Sequence, residues 1–208
     1  MVKQVFLIPG LSAPHWVLSP MARRLTQLGY ETHVIRYHSR RHSISQSADL
    51  IWKKIDSLNP TSAAIIGHSM GGLISQVLID RYQPSWLKKQ ILIATPNHGV
   101  ELVNLLNRSL LTRWVLYVVG ALPVHDLSIK KECLAPNVCE RYPTYSLTGI
   151  SNKTISQFFI PGLNDGIVSI KSATIPGLVA KATLPYAHGI MIFRKKTVDV
   201  VQQFLTNG

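Results

Sequence analysis

Short apolar runs alternate with longer amphipathic stretches along most of this 208-residue chain. The runs fall at Val5–Ile8, His33–Tyr37, Ala63–Ile66, Gln90–Ala94, Thr144–Leu147 and Ala180–Leu184. A strand that is apolar on both pleat faces must be covered on both sides, which predicts a mostly parallel sheet between two layers of helix. The stretches between carry helix signals. One helix is expected from near Pro14 to just before Gly29, a residue suited to the left-handed C-terminal cap. A second begins at Ser43, where Gln46 three residues on completes a capping box, and it carries Ile44, Ala48, Ile51 and Ile55 on one face. A third follows Ser69, and the last runs from about Ile190 to Leu205. Strand and helix alternating in this way predict a doubly wound α/β domain of about six strands. Residues 1–208 read as a single domain, interrupted by a helical insertion over 97–142 after the fourth strand.

Composition changes this picture little: 46% hydrophobic and 15% charged residues are ordinary for a globular chain. Charge adds more. Lys and Arg number 22 against 10 Asp and Glu, a formal net charge of +12, which favours an anionic partner, phospholipid surface or nucleic acid. The basic residues are scattered doublets such as Arg23–Arg24, Arg40–Arg41 and Lys195–Lys196, with no nucleic-acid motif and no base-stacking aromatics. A solvated basic face, with peripheral contact to anionic membrane as the functional version of it, is the reading carried forward; nucleic acid is not. "MVKQVFLIPG" lacks the apolar core of a signal peptide, and "WVLYVVGALPV" is too short to cross a bilayer. A cytoplasmic or membrane-peripheral location is expected. Cys133 and Cys139 are expected to be reduced thiols rather than a disulfide, and no second ligand pair makes them a metal site.

The chemistry concentrates at Gly67-His68-Ser69-Met70-Gly71, a G-x-S-x-G pattern where a predicted strand turns into a predicted helix. A serine on so tight a turn projects its hydroxyl above the sheet, and Gly67, Gly71 and Gly72 let strand and helix approach closely. The amides opening the helix point towards an oxyanion on an acylated serine. The bland alternative is a glycine-rich turn capped by serine. A serine nucleophile needs a base, and the base needs an orienting carboxylate, following in the chain order serine, acid, histidine. His98, His125 and His188 follow Ser69, and only His188 lies between the final strand and the final helix. Among Asp80, Glu101, Asp126, Glu132, Glu140 and Asp165, the turn-forming segment "GLNDGIVS" beyond the fifth strand favours Asp165. The loop "IPGLSAPHW" after the first strand supplies the second oxyanion donor: the Leu11 amide joins that of Met70. His15 and Trp16 are candidate pocket residues, although Trp16 is as compatible with the core.

"GHSMGG", the Pro9–Gly10 loop, "ATPNHG", "NDGIVS" and His188 before the last helix together resemble an α/β-hydrolase, more narrowly the small bacterial lipases and esterases. These landmarks span residues 5 to 190. The resemblance implies the α/β-hydrolase fold and cleavage of carboxylic esters without cofactor or metal, with Ser69, Asp165 and His188 as triad. Pro9 departs from the histidine many such lipases carry there, leaving the amide unaffected. A thioesterase or other acyl hydrolase shares these motifs. A different class, a basic membrane-surface binding module on the same scaffold, would bind anionic liposomes without turnover. The apolar stretch over residues 100–124 reads either as a core-packed helix or as a lid over Ser69. In the second case Trp114 would line an acyl pocket and the substrate would be lipid-like.

Overall fold

The computed structural model describes residues 2–100, 137–151 and 160–206. Six strands overlap the predicted apolar runs: β1 Gln4–Ile8, β2 Glu31–Val34, β3 Ala63–His68, β4 Leu87–Ile93, β5 Thr144–Gly149 and β6 Ala180–Leu184. They form one sheet in the order β2-β1-β3-β4-β5-β6, parallel at every pairing. The helices are α1 Ser19–Gln27, α2 Ile44–Asp56, α3 Met70–Tyr82, α4 Val138–Arg141, α5 Ile170–Ala173 and α6 Lys195–Thr206. Alternate residues of the central strands feed two cores. Val5, Leu7, Ala64, Ile66, Ile91 and Ile93 pack with α1 and α6, while Phe6, Ile8, Ala63 and Ile65 pack with α2 and α3. That two-sided burial is why the strand sequences show no polar alternation.

Local signals act as the sequence implies. Ser43 accepts from the Gln46 amide at 3.1 Å, and the Gln46 side chain accepts from the Ser43 amide at 3.0 Å, closing the capping box of α2. Ile44, Ala48, Ile51 and Ile55 are all buried on its inner face. Gly29 follows α1 with φ +93°, a left-handed conformation that only glycine adopts without strain.

Several boundaries differ from expectation: β4 begins at Leu87 rather than Gln90, and α1 begins at Ser19, after a 3-10 turn, rather than near Pro14. β2 covers Glu31–Val34 rather than His33–Tyr37: it is the edge strand of the sheet, and its last register pair with β1 is Leu7 with Val34, one residue before β1 ends. The final helix starts at Lys195, not Ile190. Met191–Phe193 form a separate 3-10 turn, and Arg194 is extended at ψ 134°. Of the expected insertion, residues 97–100 and 137–142 are described, and α4 leads directly into β5. Trp114, Cys133, Glu101, Asp126, Glu132 and His125 lie outside the described residues, and with them the lid and disulfide questions. Cys139 is buried in α4. No helix among the described residues is long and apolar enough to cross a membrane.

Candidate active site

The strand order reverses between β1 and β3: the chain leaves β1 for β2 on one side and β3 for β4 on the other. In open α/β sheets the carboxyl ends of the strands at such a reversal are the usual ligand position. Ser69 occupies the tip of β3 at this point. Its backbone is held at φ 54°, ψ −125°, a region costing a non-glycine residue about 1–3 kcal/mol. Its amide donates to the Ile93 carbonyl at 2.8 Å and its carbonyl accepts from Gly72 at 2.9 Å, so the strain is locked in from both sides. The Ser69 side chain makes no capping hydrogen bond to α3. This is the opposite of what a structural N-cap serine does, and it leaves the hydroxyl available.

Glycine is required around the turn by contact rather than by dihedral preference. A Cβ on Gly67 would lie 2.4 Å from the Gly72 Cα, and one on Gly71 would lie 2.2 Å from the Ile8 carbonyl oxygen. These are contacts of α3 with β3 and β1 that no side chain fits. On Gly10 a Cβ would come within 3.0 Å of the Ser69 Cβ, which puts the loop after β1 beside the serine. That loop is tied back by the Tyr37 hydroxyl donating to the Pro9 carbonyl at 2.7 Å and by the Ser12 amide donating to the Ser39 hydroxyl at 2.9 Å. Burial pushes the Tyr37 phenol well above its ordinary pKa, so it stays a donor. The Leu11 amide, in this loop, and the Met70 amide, first in α3, donate to no other group among the described residues.

Asp165 and His188, 23 residues apart in the chain, meet. His188 Nδ1 donates to Asp165 Oδ2 at 2.8 Å, and the His188 amide donates to the Asp165 carbonyl at 2.9 Å. The other carboxylate oxygen, Oδ1, accepts from the amides of Ile167 at 2.9 Å and Val168 at 2.8 Å. Asp165 is 1% exposed and His188 7%. The carboxylate is thus fully satisfied, with one oxygen fixed by backbone and one by imidazole. Since Nδ1 carries the proton in this bond, the neutral ring presents a lone pair at Nε2.

Several residues that sequence reasoning did not single out hold this arrangement. Gly149, at the end of β5, lies so near Asp165 that a Cβ there would be 2.8 Å from the Asp165 Cβ and 2.3 Å from the Tyr186 carbonyl oxygen. Behind Ser69, the buried Gln76 of α3 donates to Asn97 Oδ1 at 2.7 Å, and Asn97 Nδ2 donates to the Ala173 carbonyl at 2.7 Å. These bonds clamp the segment after β4 between the serine helix and the segment after Asp165. Gln76 lies two turns along α3 from Ser69, and a polar residue on that helix's buried face was the available signal. His68 forms the remaining wall. Its ring lies against that of His188, centroids 5.0 Å apart.

The other predicted residues fare differently. His15 and Trp16 form part of a 3-10 turn, His15–Leu18, after the Gly10 loop. Trp16 is 59% exposed, so its alternative reading as a core residue is excluded. Asp80 and Glu140 sit on α3 and α4, and Asp80 pairs with Arg141 at the surface. A groove of about 840 Å³ lined by Val2, Tyr30, Lys89, Tyr145 and Leu205 opens at the amino ends of the strands, away from Ser69. Among the described residues there is no cluster of His, Cys, Asp or Glu able to hold a metal ion.

The family model of the PGAP1-like alpha/beta domain matches residues 24–110, the part containing Ser69. No curated protein sequence matches significantly. Among solved structures, the mature lipase of Bacillus licheniformis superposes with TM-score 0.81 at 20% identity, over 99% of this chain and 92% of that one. Of the propeptide form of the same lipase, this chain covers 51% (TM-score 0.83, 20% identity, all of this chain). A metagenomic carboxyl esterase follows with TM-score 0.73 at 18% identity, over 89% of this chain and 64% of that one. A carboxylesterase structure from Nitrososphaera gargenis gives 0.66 at 18% identity, over 98% and 90%.

Proposed function

On the α/β-hydrolase fold that this chain adopts, we propose that it is a serine hydrolase of carboxylic esters, acting through an acyl-enzyme at Ser69. The observation that carries the reading is the 2.8 Å Asp165–His188 bond beside a serine whose strained backbone and uncapped hydroxyl have no structural use. His188 Nε2 takes the Ser69 proton as Oγ attacks the ester carbonyl. The carbonyl oxygen, now negative, is received by the amides of Leu11 and Met70 at the positive end of α3. Collapse of the tetrahedral intermediate expels the alcohol, which takes the proton back from His188. A water then loses its proton to His188 and attacks the acyl-enzyme; collapse of the second intermediate releases the acid and returns the proton to Ser69. Asp165 holds the ring in the productive tautomer throughout.

A lipid-like acyl chain suits the surroundings. Trp16, Leu163, Ile167 and Ile190 are exposed on the segments carrying the oxyanion loop, Asp165 and His188, and a water-soluble substrate would give these side chains nothing to cover. The basic surface fits substrate presented at an anionic membrane. The test is hydrolysis of p-nitrophenyl esters of increasing chain length, with a fluorophosphonate probe and Ser69→Ala as control. Turnover and labelling are both expected in the wild type and both lost in the variant. Labelling that persists without Ser69 would sink the assignment. Binding to anionic liposomes without any turnover would instead favour a membrane-surface module.

A further inference from the structure

His68 precedes the serine and takes no part in the chemistry just described, yet its side chain is buried. It is 5% exposed. Its Nε2 lies 3.3 Å from the backbone carbonyl oxygen of His188. Its Nδ1 is buried without a hydrogen-bond partner and lies on the side of the Gly10 loop, where a glycine Cβ would be 3.5 Å away. The ring thus fills the space between the oxyanion loop and the base.

A carbonyl oxygen only accepts, so the Nε2 contact requires the proton on Nε2 and leaves Nδ1 as a bare lone pair. Burial, and secondarily the neighbouring His188, push the His68 pKa down to about 3. The ring is therefore neutral wherever an esterase would work. Neutrality matters here, because His188 becomes a cation during turnover and a second cation at 5.0 Å between ring centroids would oppose it. Arginine or lysine could donate the same hydrogen bond but would bring that charge. An aliphatic residue would bring neither charge nor bond.

We propose that His68 is a positioning residue for the base, its Nε2–H anchoring the His188 main chain and its ring forming the wall on which the His188 imidazole rests. The inference rests on His188 being the base. It explains why a polar, orphan-bearing ring occupies a buried position that an apolar side chain would fill at lower desolvation cost.

The experiment compares His68→Phe, which keeps the flat ring and loses the donor, with His68→Gln, which keeps a neutral donor near the Nε2 position. Rates are expressed per site titrated by fluorophosphonate. The phenylalanine variant should lose about tenfold in kcat, about 1.4 kcal/mol, with KM within about twofold. Glutamine should recover to within about threefold of the wild type. A purely space-filling role would lower the melting temperature and the number of titratable sites but leave kcat per site unchanged, and that result overturns the proposal. So does a glutamine variant as impaired as phenylalanine. Should neither variant fold, nitrogen NMR of the wild-type imidazoles decides: His68 is expected neutral, protonated on Nε2, from about pH 5 to 8, given a reference pKa near 6.5. A proton on Nδ1, or titration within that range, refutes it. The Ser69→Ala control separates the two levels. Activity surviving there removes the triad and this role together, whereas an inactive Ser69→Ala beside a fully active His68→Phe removes only His68.

Discussion

Asp165→Asn is the most diagnostic single change, because the structure dictates which way the new amide must lie. Oδ1 of Asp165 accepts from two backbone amides, Ile167 at 2.9 Å and Val168 at 2.8 Å. Only the oxygen of asparagine can take that place, so its NH2 group is forced into the Oδ2 position, 2.8 Å from His188 Nδ1. Two N–H groups cannot face each other at that distance. The imidazole must move its proton to Nε2, which then cannot accept the proton of Ser69. In serine triads the wrong tautomer costs about 10⁴ in kcat, or about 5.5 kcal/mol of transition-state stabilisation. The fold should lose far less, because both backbone bonds and the histidine contact survive in neutral form; about 1–2 kcal/mol is expected. For a domain of this size that is a shift of only a few degrees in melting temperature. Steady-state hydrolysis of a p-nitrophenyl ester, with a thermal melt of the same preparation, measures both. A kcat within about tenfold of wild type at an unchanged melting temperature would mean that Asp165 does not orient the base. The matched control is Asp80→Asn, on the surface of α3, whose kcat should not move.

Three further outcomes follow from the packing. Gly72→Ala would put a methyl group 1.9 Å from Thr95 Oγ1 and should cost about 1–3 kcal/mol in urea unfolding, with Thr95→Ala in the same chain recovering part of it. Ser43→Ala removes the capping box of α2, distant from the chemistry, and should cost about 1 kcal/mol of stability while leaving kcat intact. The last concerns pH. The His68 pKa is lowered on folding from 6.5 to about 3, so between those values the unfolded chain binds the proton and stability falls as pH drops. From pH 7 to 5 this group alone should account for about 2 kcal/mol, visible as the part of the pH dependence of unfolding that His68→Gln abolishes; an identical pH dependence in both proteins would refute it.

How much was legible from the residues follows the range of the forces involved. The Ser43–Gln46 box, the Gly29 cap and the two-sided apolar runs are set by neighbours a few residues away, so α2, the end of α1 and the parallel sheet could be read directly. Chain order then singled out Asp165 and His188, since a doubly wound sheet brings successive strand ends to one edge. What the residues could not disclose depends on partners distant in sequence. β2 ends with its last pairing to the neighbouring strand, Val34 with Leu7, whatever the apolar character of His33–Tyr37. The break at Arg194 interrupts a stretch whose periodicity alone reads as one helix. Gly149 is forced by the Asp165 side chain and the Tyr186 carbonyl, Gln76 by Asn97, and His68 by a carbonyl 120 residues further on. Each is a contact made only once the sheet has closed, and desolvation then decides whether a polar side chain is a clamp or a liability. Local sequence therefore determined the elements and singled out the candidate reacting groups. Tertiary packing alone decided their exposure, their tautomers and what holds them in register.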